Sequence, residues 1–225
     1  MLLPDPLPAD PMAVFKDWFD DACERRVTDN PNALVLSTVD VSVEPPRPSA
    51  RVVLCKGMDA GAGYINFYTN YTSRKGRELA GNPRCSAVFH WDADERQVRM
   101  EGVALKAPAA ESDAYFASRH PGSRVGAWAS RQSQPLAARV DLIERVREEA
   151  KRFDVPLNES LEAASVDVDI PRPEHWGGYR LWVASVELWC GGNHRVHDRA
   201  RFDRDLTVDG DAVHTGDWQA SRLFP

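Results

Sequence analysis

Hydrophobic positions along the chain switch between two periods. Val14, Phe15, Trp18, Phe19 and Ala22 recur at helical spacing after Asp10-Pro11, a capping acid followed by a proline suited to a first turn. This predicts an N-terminal helix over about 11–26. The pattern then turns to β. ALVLSTVDV (33–41), RVVLCK (51–56), YINFYTN (64–70), RCSAVFHW (84–91) and RQVRMEGVALKA (96–107) are bounded by turn formers and rich in β-branched and aromatic residues. The proline-broken EPPRPSA separates the first two strands, GMDAGAG reads as a turn, and DADE joins the last two. Helical spacing returns in TSRKGRELAGNP (72–83), where Ser73 can cap, Gly81 can end the helix and Pro83 forbids its continuation. It returns again in ESDAYFASRH (111–120), stopped by Pro121-Gly122. A longer helix is predicted from Gln134 to Phe153, with Leu136, Val140, Ile143, Val146 and Ala150 along one side. Residues 154–175 are acidic and proline-containing and read as a surface loop. Strands resume at GYRLWVASVELWC (178–190), with a break allowed near Ala184, then HRVHDRARFDR (194–204) and a short strand near Ala212–His214 or the C-terminus. The first strands are joined by short links without helices, which implies antiparallel pairing rather than a Rossmann sheet. The expected fold is a β-rich α+β domain spanning 1–225, a closed or partly closed antiparallel barrel with peripheral helices and a C-terminal strand region over about 176–225.

Composition narrows the partners. With 34 acidic against 28 basic side chains the net charge is -6, opposite to the balance of a general nucleic-acid binder. An anionic ligand is therefore expected to be small and held in a local basic pocket. The four cysteines, Cys23, Cys55, Cys85 and Cys190, form no C-x-x-C and have no histidine at zinc-ligand spacing, so no metal site is expected and free thiols in a reducing cytoplasm are the simplest reading. No stretch approaches the roughly 20 apolar residues of a membrane span. The start, MLLPDPLPADP, lacks the basic and apolar regions of a signal peptide.

The chain contains no G-x-G-x-x-G, Walker, nucleophile-elbow or H-E-x-x-H motif. Basic residues recur instead at strand ends and helix starts. Ser73-Arg74-Lys75 opens a short helix, where free N–H groups and cations can cradle a phosphate or simply face solvent. Tyr115 and Arg119 share a helical face, with Ser123 just beyond; together they suit a phosphate monoester, or are packed and solvated separately. Arg51 and Lys56, five apart, point to opposite faces of an ideal strand. Gln97, and Gln132-Ser133 at the expected start of the long helix, offer amides and a hydroxyl that suit a heterocycle's edge. Trp189 can cover a ring or fill a core. Arg195, His197 and Arg199 alternate, so on a strand they form one cationic stripe, which either guards a sheet edge or lines a site.

In order, RVVLCK, FYTNYTSRKG, ERQVRMEG, YFASRHPGSRVGAWASRQS, WGGYR, VELWCGGNHRVHDR and the final SRL resemble the pyridoxamine 5'-phosphate oxidase family, from LPADP to RLFP. The resemblance implies an FMN-binding split barrel, a Greek-key antiparallel barrel that works as a homodimer with both subunits contributing to each FMN site. It places FMN contacts on Arg51, Val52, Val53, Leu54, Cys55, Lys56, Tyr68 and Thr69, with Arg74 and Lys75 on the flavin phosphate and Gln97, Gln132, Ser133, Trp189 and Arg199 completing the set. Substrate phosphate falls on Lys56, Tyr115, Arg119 and Ser123. Arg195, Val196 and His197 face the pyridine ring, with Arg195 and His197 as the catalytic candidates. The implied reaction is oxidation of pyridoxamine or pyridoxine 5'-phosphate by dioxygen to pyridoxal 5'-phosphate and hydrogen peroxide. A related oxidase of phenazine-pathway type, or a flavin- or pyridoxal-phosphate-binding protein without turnover, are the alternatives. The family's N-terminal Arg-x-x-Tyr segment is not found ahead of the first helix, so closure over the substrate is expected to be looser or made by other residues.

Overall fold

Helix α1 (Pro11–Arg25) starts where the sequence predicts. The Asp10 carboxylate accepts the Met12 N–H at 2.8 Å, and Arg26 ends the helix in the left-handed region at φ 50°. Its inner face buries Met12, Phe15 and Ala22, with Phe15 tilted 5.0 Å from the Phe89 ring. The computed structural model describes residues 2–210 and 212–225; Met1 and Asp211, both within the single domain expected from the sequence, lie outside the described residues.

The strands are β1 (Ala33–Asp40), β2 (Arg47–Leu54), β3 (Gly57–Asp59), β4 (Tyr64–Asn70), β5 (Arg84–Trp91), β6 (Arg96–Lys106), β7 (Trp176–Cys190), β8 (Asp198–Asp203), β9 (Leu206–Asp209), β10 (Ala212–Thr215) and β11 (Gln219–Leu223). The helices after α1 are α2 (Arg74–Gly81), α3 (Ala109–Ala117), α4 (Pro121–Ala129) and α5 (Arg139–Arg152). The main sheet runs β11-β8-β7-β6-β5-β1-β2, with β4 pairing β3 and β7, and β9 and β10 form a separate hairpin. Neighbours pair antiparallel, as in β1–β2, β5–β6 and β7–β8. Among the described residues the sheet is open rather than a closed barrel, and β2, β11 and, on the β4 branch, β3 are its ends. The end position explains why β2 extends into the segment expected to be proline-broken: an edge strand tolerates Pro48 because its missing N–H takes nothing from the ladder. GMDAGAG likewise opens with β3 rather than being all turn.

Contacts divide the chain into two compact units. The first comprises the chain up to Phe67, Gly81–Leu105 and Arg180–Pro225; the second comprises Tyr68–Ala80 and Lys106–Tyr179. In the first, alternate residues of the strands build the core: Leu34 and Leu36, Ala87 and Phe89, Val98 and Met100, Ala200 and Phe202 are all nearly inaccessible. β7 is unbroken at Ala184, but its buried residues change parity there, from Leu181 and Val183 to Val186 and Leu188, where pairing with β8 begins at Ser185.

In the second unit, Phe116, Val125, Ala150, Val155, Ile170 and Trp176 form the core. Val155 and Ile170 belong to the segment expected to be a surface loop, so that segment supplies part of the core. Pro121 does more than stop α3: it is the first residue of α4, with His120 Nδ1 accepting the Gly122 N–H at 3.2 Å. Helix α5 begins at Arg139, five residues later than expected. Leu136 therefore precedes it and is half exposed, and Gln132-Ser133 sit in a turn in which Ser133 has φ 68°.

Candidate active site

The second unit gathers most of the predicted phosphate ligands. Helix α2 is capped by Ser73, whose Oγ accepts the Gly76 N–H at 3.3 Å. The capped end leaves the Arg74 and Lys75 N–H groups without intrahelical acceptors. The Lys75 ammonium is buried and donates to Thr69 Oγ1 (3.1 Å) and Gln132 Oε1 (3.2 Å). Thr69 Oγ1 also donates to Gln132 Oε1 at 3.0 Å. Arg74 donates from Nε to Glu78 at 2.8 Å, with its guanidinium half exposed. Tyr68, Thr69 and Lys75 from one sequence block and Gln132 from another thus belong to one unit. Ser133 is exposed, next to Gln132.

Beside them lies a pocket of about 320 Å³ lined by Asn70, Arg119, Ser123, Gly126, Ala127, Ser130, Gln132 and Trp176. Trp176 is the aromatic member of its wall, and two tyrosine rings stack with it. Tyr68 stacks on Tyr115 at 3.9 Å and on Trp176 at 5.5 Å, and the Arg119 guanidinium lies 4.8 Å from the Trp176 ring centre. Arg119 Nη1 is buried, and no described residue accepts from it. Burial pulls the Arg119 guanidinium down from its ordinary pKa and pushes the Tyr115 phenol up. A buried cationic donor with no acceptor is costly, and an anion in the pocket removes that cost. Asn70, Ser130 and Trp176 escaped the sequence reading. WGGYR carried Trp176, but a tryptophan in a strand is first read as core.

The predicted residues of the first unit divide into three places. On β2, the Arg51 guanidinium donates to Leu36 O (3.1 Å) and Thr38 Oγ1 (2.6 Å), Val52 is 65% exposed, and Val53 and Leu54 are half-buried. Cys55 is buried and its thiol is pushed up to about 11 by desolvation, while Lys56 is exposed. β2 ends at Leu54, so Arg51 and Lys56 do not lie on one strand. Second, Gln97, Trp189 and Arg199 share the outward face of β6, β7 and β8, with Trp189 and Arg199 directly opposite in register. Arg199 is anchored there: Nε and Nη2 both donate to Glu187 Oε1, at 3.1 and 2.8 Å, and Nη1 donates to Phe224 O at 2.9 Å.

The third place corrects an expectation. Arg195, His197 and Arg199 do not form a stripe on one strand. Strand β8 begins only at Asp198; Asn193–Arg195 form a 3-10 turn, with His194 and Arg195 at φ 55° and 64°. Glycine makes this turn tight, since a Cβ on Gly192 would lie 2.0 Å from Val196 O. The turn closes through His197, whose Nδ1 accepts the Gly192 N–H at 3.2 Å and whose ring lies 4.7 Å from Trp189. This tautomer leaves Nε2 as the donor. Arg195 and Val196 are exposed.

The family model described as pyridoxamine 5'-phosphate oxidase matches residues 19–151, and the one described as the pyridoxine 5'-phosphate oxidase C-terminal dimerisation region matches 176–225. A Paraburkholderia phytofirmans protein named pyridoxine/pyridoxamine 5'-phosphate oxidase is 46% identical over 216 residues, 96% of this chain and 89% of its own. One of the same name from Bordetella avium is 48% identical, covering 91% of this chain and 88% of its own. Among solved structures, PhzG from Burkholderia lata 383 in complex with tetrahydrophenazine-1-carboxylic acid superposes with a TM-score of 0.82 at 30% identity, covering 100% of this chain and 98% of its own. With an open antiparallel sheet of the split-barrel kind and matches running nearly end to end, the chain belongs to the pyridoxamine 5'-phosphate oxidase family.

Proposed function

We propose that the chain is an FMN-dependent oxidase that converts pyridoxamine or pyridoxine 5'-phosphate to pyridoxal 5'-phosphate, with dioxygen as the oxidant and hydrogen peroxide as the second product. The observation that carries this reading is Arg119, which lines a pocket with Ser123 and Trp176 and whose buried Nη1 has no acceptor among the described residues. A phosphate monoester is small, dianionic and able to take this donor. Residues of the chain also fit FMN. The start of α2 with Lys75 suits its phosphate. Arg199 uses three of its five N–H groups on Glu187 and Phe224, leaving two for the ligand.

Bound FMN supplies the two-electron redox chemistry. The residues supply position. Arg119, Ser123 and Tyr115 hold a group remote from the reacting carbon, which converts phosphate affinity into orientation. Arg195 and the Nε2–H of His197, carried on the tight turn beside Trp189, are the groups assigned to the pyridine ring. The matched dimerisation region supports a homodimer. Free cysteines suit a reducing cytoplasm, and among the described residues no helix is long and apolar enough to cross a membrane. The unit boundaries fall inside β4, α2, β6 and β7 rather than in linkers, which supports one domain over 1–225.

The phenazine reading retains a foothold in the PhzG superposition, but the phosphate-oxidase names stand at 46 and 48% identity against 30%. The deciding experiment is a peroxide assay on the yellow holoprotein with pyridoxine 5'-phosphate, unphosphorylated pyridoxine and a dihydrophenazine carboxylate. Peroxide from the first, at a kcat/KM far above that of the second and with none from the third, supports the proposal, and peroxide from the third alone replaces it.

A further inference from the structure

At the centre of the outward face of β6, β7 and β8 sits a carboxylate that neither the sequence motifs nor the reaction calls on. Glu187 is flanked by Trp189 on its own strand and by Arg199 and Arg201 on β8, where its register partner is Arg201. Its side chain is only 7% exposed. A carboxylate in that setting needs partners, and its two oxygens are divided between two arginines. Oε1 takes both Nε and Nη2 of Arg199, and Oε2 takes Nη1 of Arg99 at 3.1 Å.

This division has a geometric consequence. A guanidinium is planar, so two donors fixed on one oxygen, plus Nη1 on Phe224 O, set the plane and the direction of Arg199 completely. Arg99 pulls the far oxygen and prevents the carboxylate from rotating. The Arg199 side chain alone has four rotatable bonds, and without an anchor its free N–H groups would sweep a wide arc.

We infer that Glu187 is a positioning residue for the cofactor: it acts through Arg199, holding that guanidinium so that its two uncommitted N–H groups point at the flavin. The inference rests on the reading of Arg199 as a flavin ligand. Glu187 touches neither flavin nor substrate. Its carboxylate ranks with Arg199 itself in setting FMN affinity, although a strand glutamate among arginines looks like an ordinary ion-pair partner.

The test is a double-mutant cycle on FMN affinity, measured by fluorescence quenching on reconstituted apoprotein, with Glu187→Gln, Arg199→Leu and the pair. Arg199→Leu is expected to weaken FMN about tenfold or more, and Glu187→Gln about tenfold, the scale of one charge-assisted hydrogen bond. In the Arg199→Leu background, Glu187→Gln should change the Kd by less than about twofold, because the group it positions is gone. Glu187→Asp, which keeps the charge but shortens the reach, should fall between wild type and Glu187→Gln. It also serves as the readable variant if the glutamine form fails to fold, since a loss by Asp that disappears in the Arg199→Leu background supports the same role. Additive losses would mean that Glu187 acts on the fold alone and would overturn the inference. If Arg199→Leu lowers affinity and neither Glu187 variant does, the positioning role is wrong while the ligand reading stands. If Arg199→Leu leaves FMN affinity unchanged, the ligand reading itself fails and the inference falls with it.

Discussion

A single nitrogen, Nη1 of Arg119, carries more functional information than any motif in the chain. Sequence spacing put Arg119, Tyr115 and Ser123 near one another because i, i+4 neighbours share a helix face and the Pro-Gly break follows at once. The orphaned donor is a tertiary fact, set by Trp176 and the pocket wall, and no spacing rule contains it. Glu187 was illegible for the same reason: its burial depends on Arg99 and Arg199 arriving from two other strands. At this scale the account predicts that Arg119→Leu raises KM for pyridoxine 5'-phosphate by roughly ten- to a hundredfold, the worth of a charge-assisted contact. FMN affinity should be unchanged. The kcat/KM for unphosphorylated pyridoxine should also be unchanged, since that substrate has no phosphate to lose. Steady-state kinetics with both substrates checks this, and an equal loss on both would remove Arg119 from the phosphate site.

Elements were legible where local chemistry decides them and illegible where a turn overrides alternation. α1, β5 and β6 match their expected spans within a residue or so, because a cap, strict alternation or a turn marks each end. The Arg195-to-Arg199 stripe failed because two glycines precede it. Backbone freedom at Gly192 lets the chain close on itself, and the apparent period of two is accidental across the 3-10 turn. α4 was missed because Pro121 reads equally as the end of one helix or the start of the next. The turn therefore becomes the testable element. Gly192→Ala forces a Cβ against Val196 O, so the turn must open and carry Arg195 and His197 away. Turnover is expected to fall by about a hundredfold, the scale of an ångström-size misplacement. Substrate-phosphate binding, which depends on Arg119, should change little. Stopped-flow kinetics beside a pyridoxal 5'-phosphate binding titration separates the two, and unaltered turnover would show that the turn does not position the chemistry.

For the whole molecule, the antiparallel β-rich class was readable from strands joined without helices, but the open sheet and the two compact units were not. Closure depends on which distant strands pair, and three strands pass through both units without a break. Burial on this scale also sets a pH limit. Desolvation pushes the Cys55 thiol to about 11, and the Cys85 thiol and the Tyr179 phenol to about 12, from ordinary values of 9, 9 and 10. All three are raised, so the fold favours their neutral forms. Their stability contribution is complete below about pH 9 and drains away between about 9 and 12, as the unfolded chain ionises first. Urea midpoints should fall steadily over that interval, and Cys85→Ala should flatten the slope; a level profile would contradict the burial of these groups. The central claim, that a flavin and a phosphorylated pyridine meet in this fold, is tested most directly by mixing the FMN-loaded protein anaerobically with pyridoxine 5'-phosphate and following the flavin absorbance. The account predicts that the yellow colour bleaches within the mixing experiment and returns on admission of air with formation of hydrogen peroxide. A flavin that stays oxidised with pyridoxine 5'-phosphate, and with pyridoxamine 5'-phosphate in its place, would contradict it.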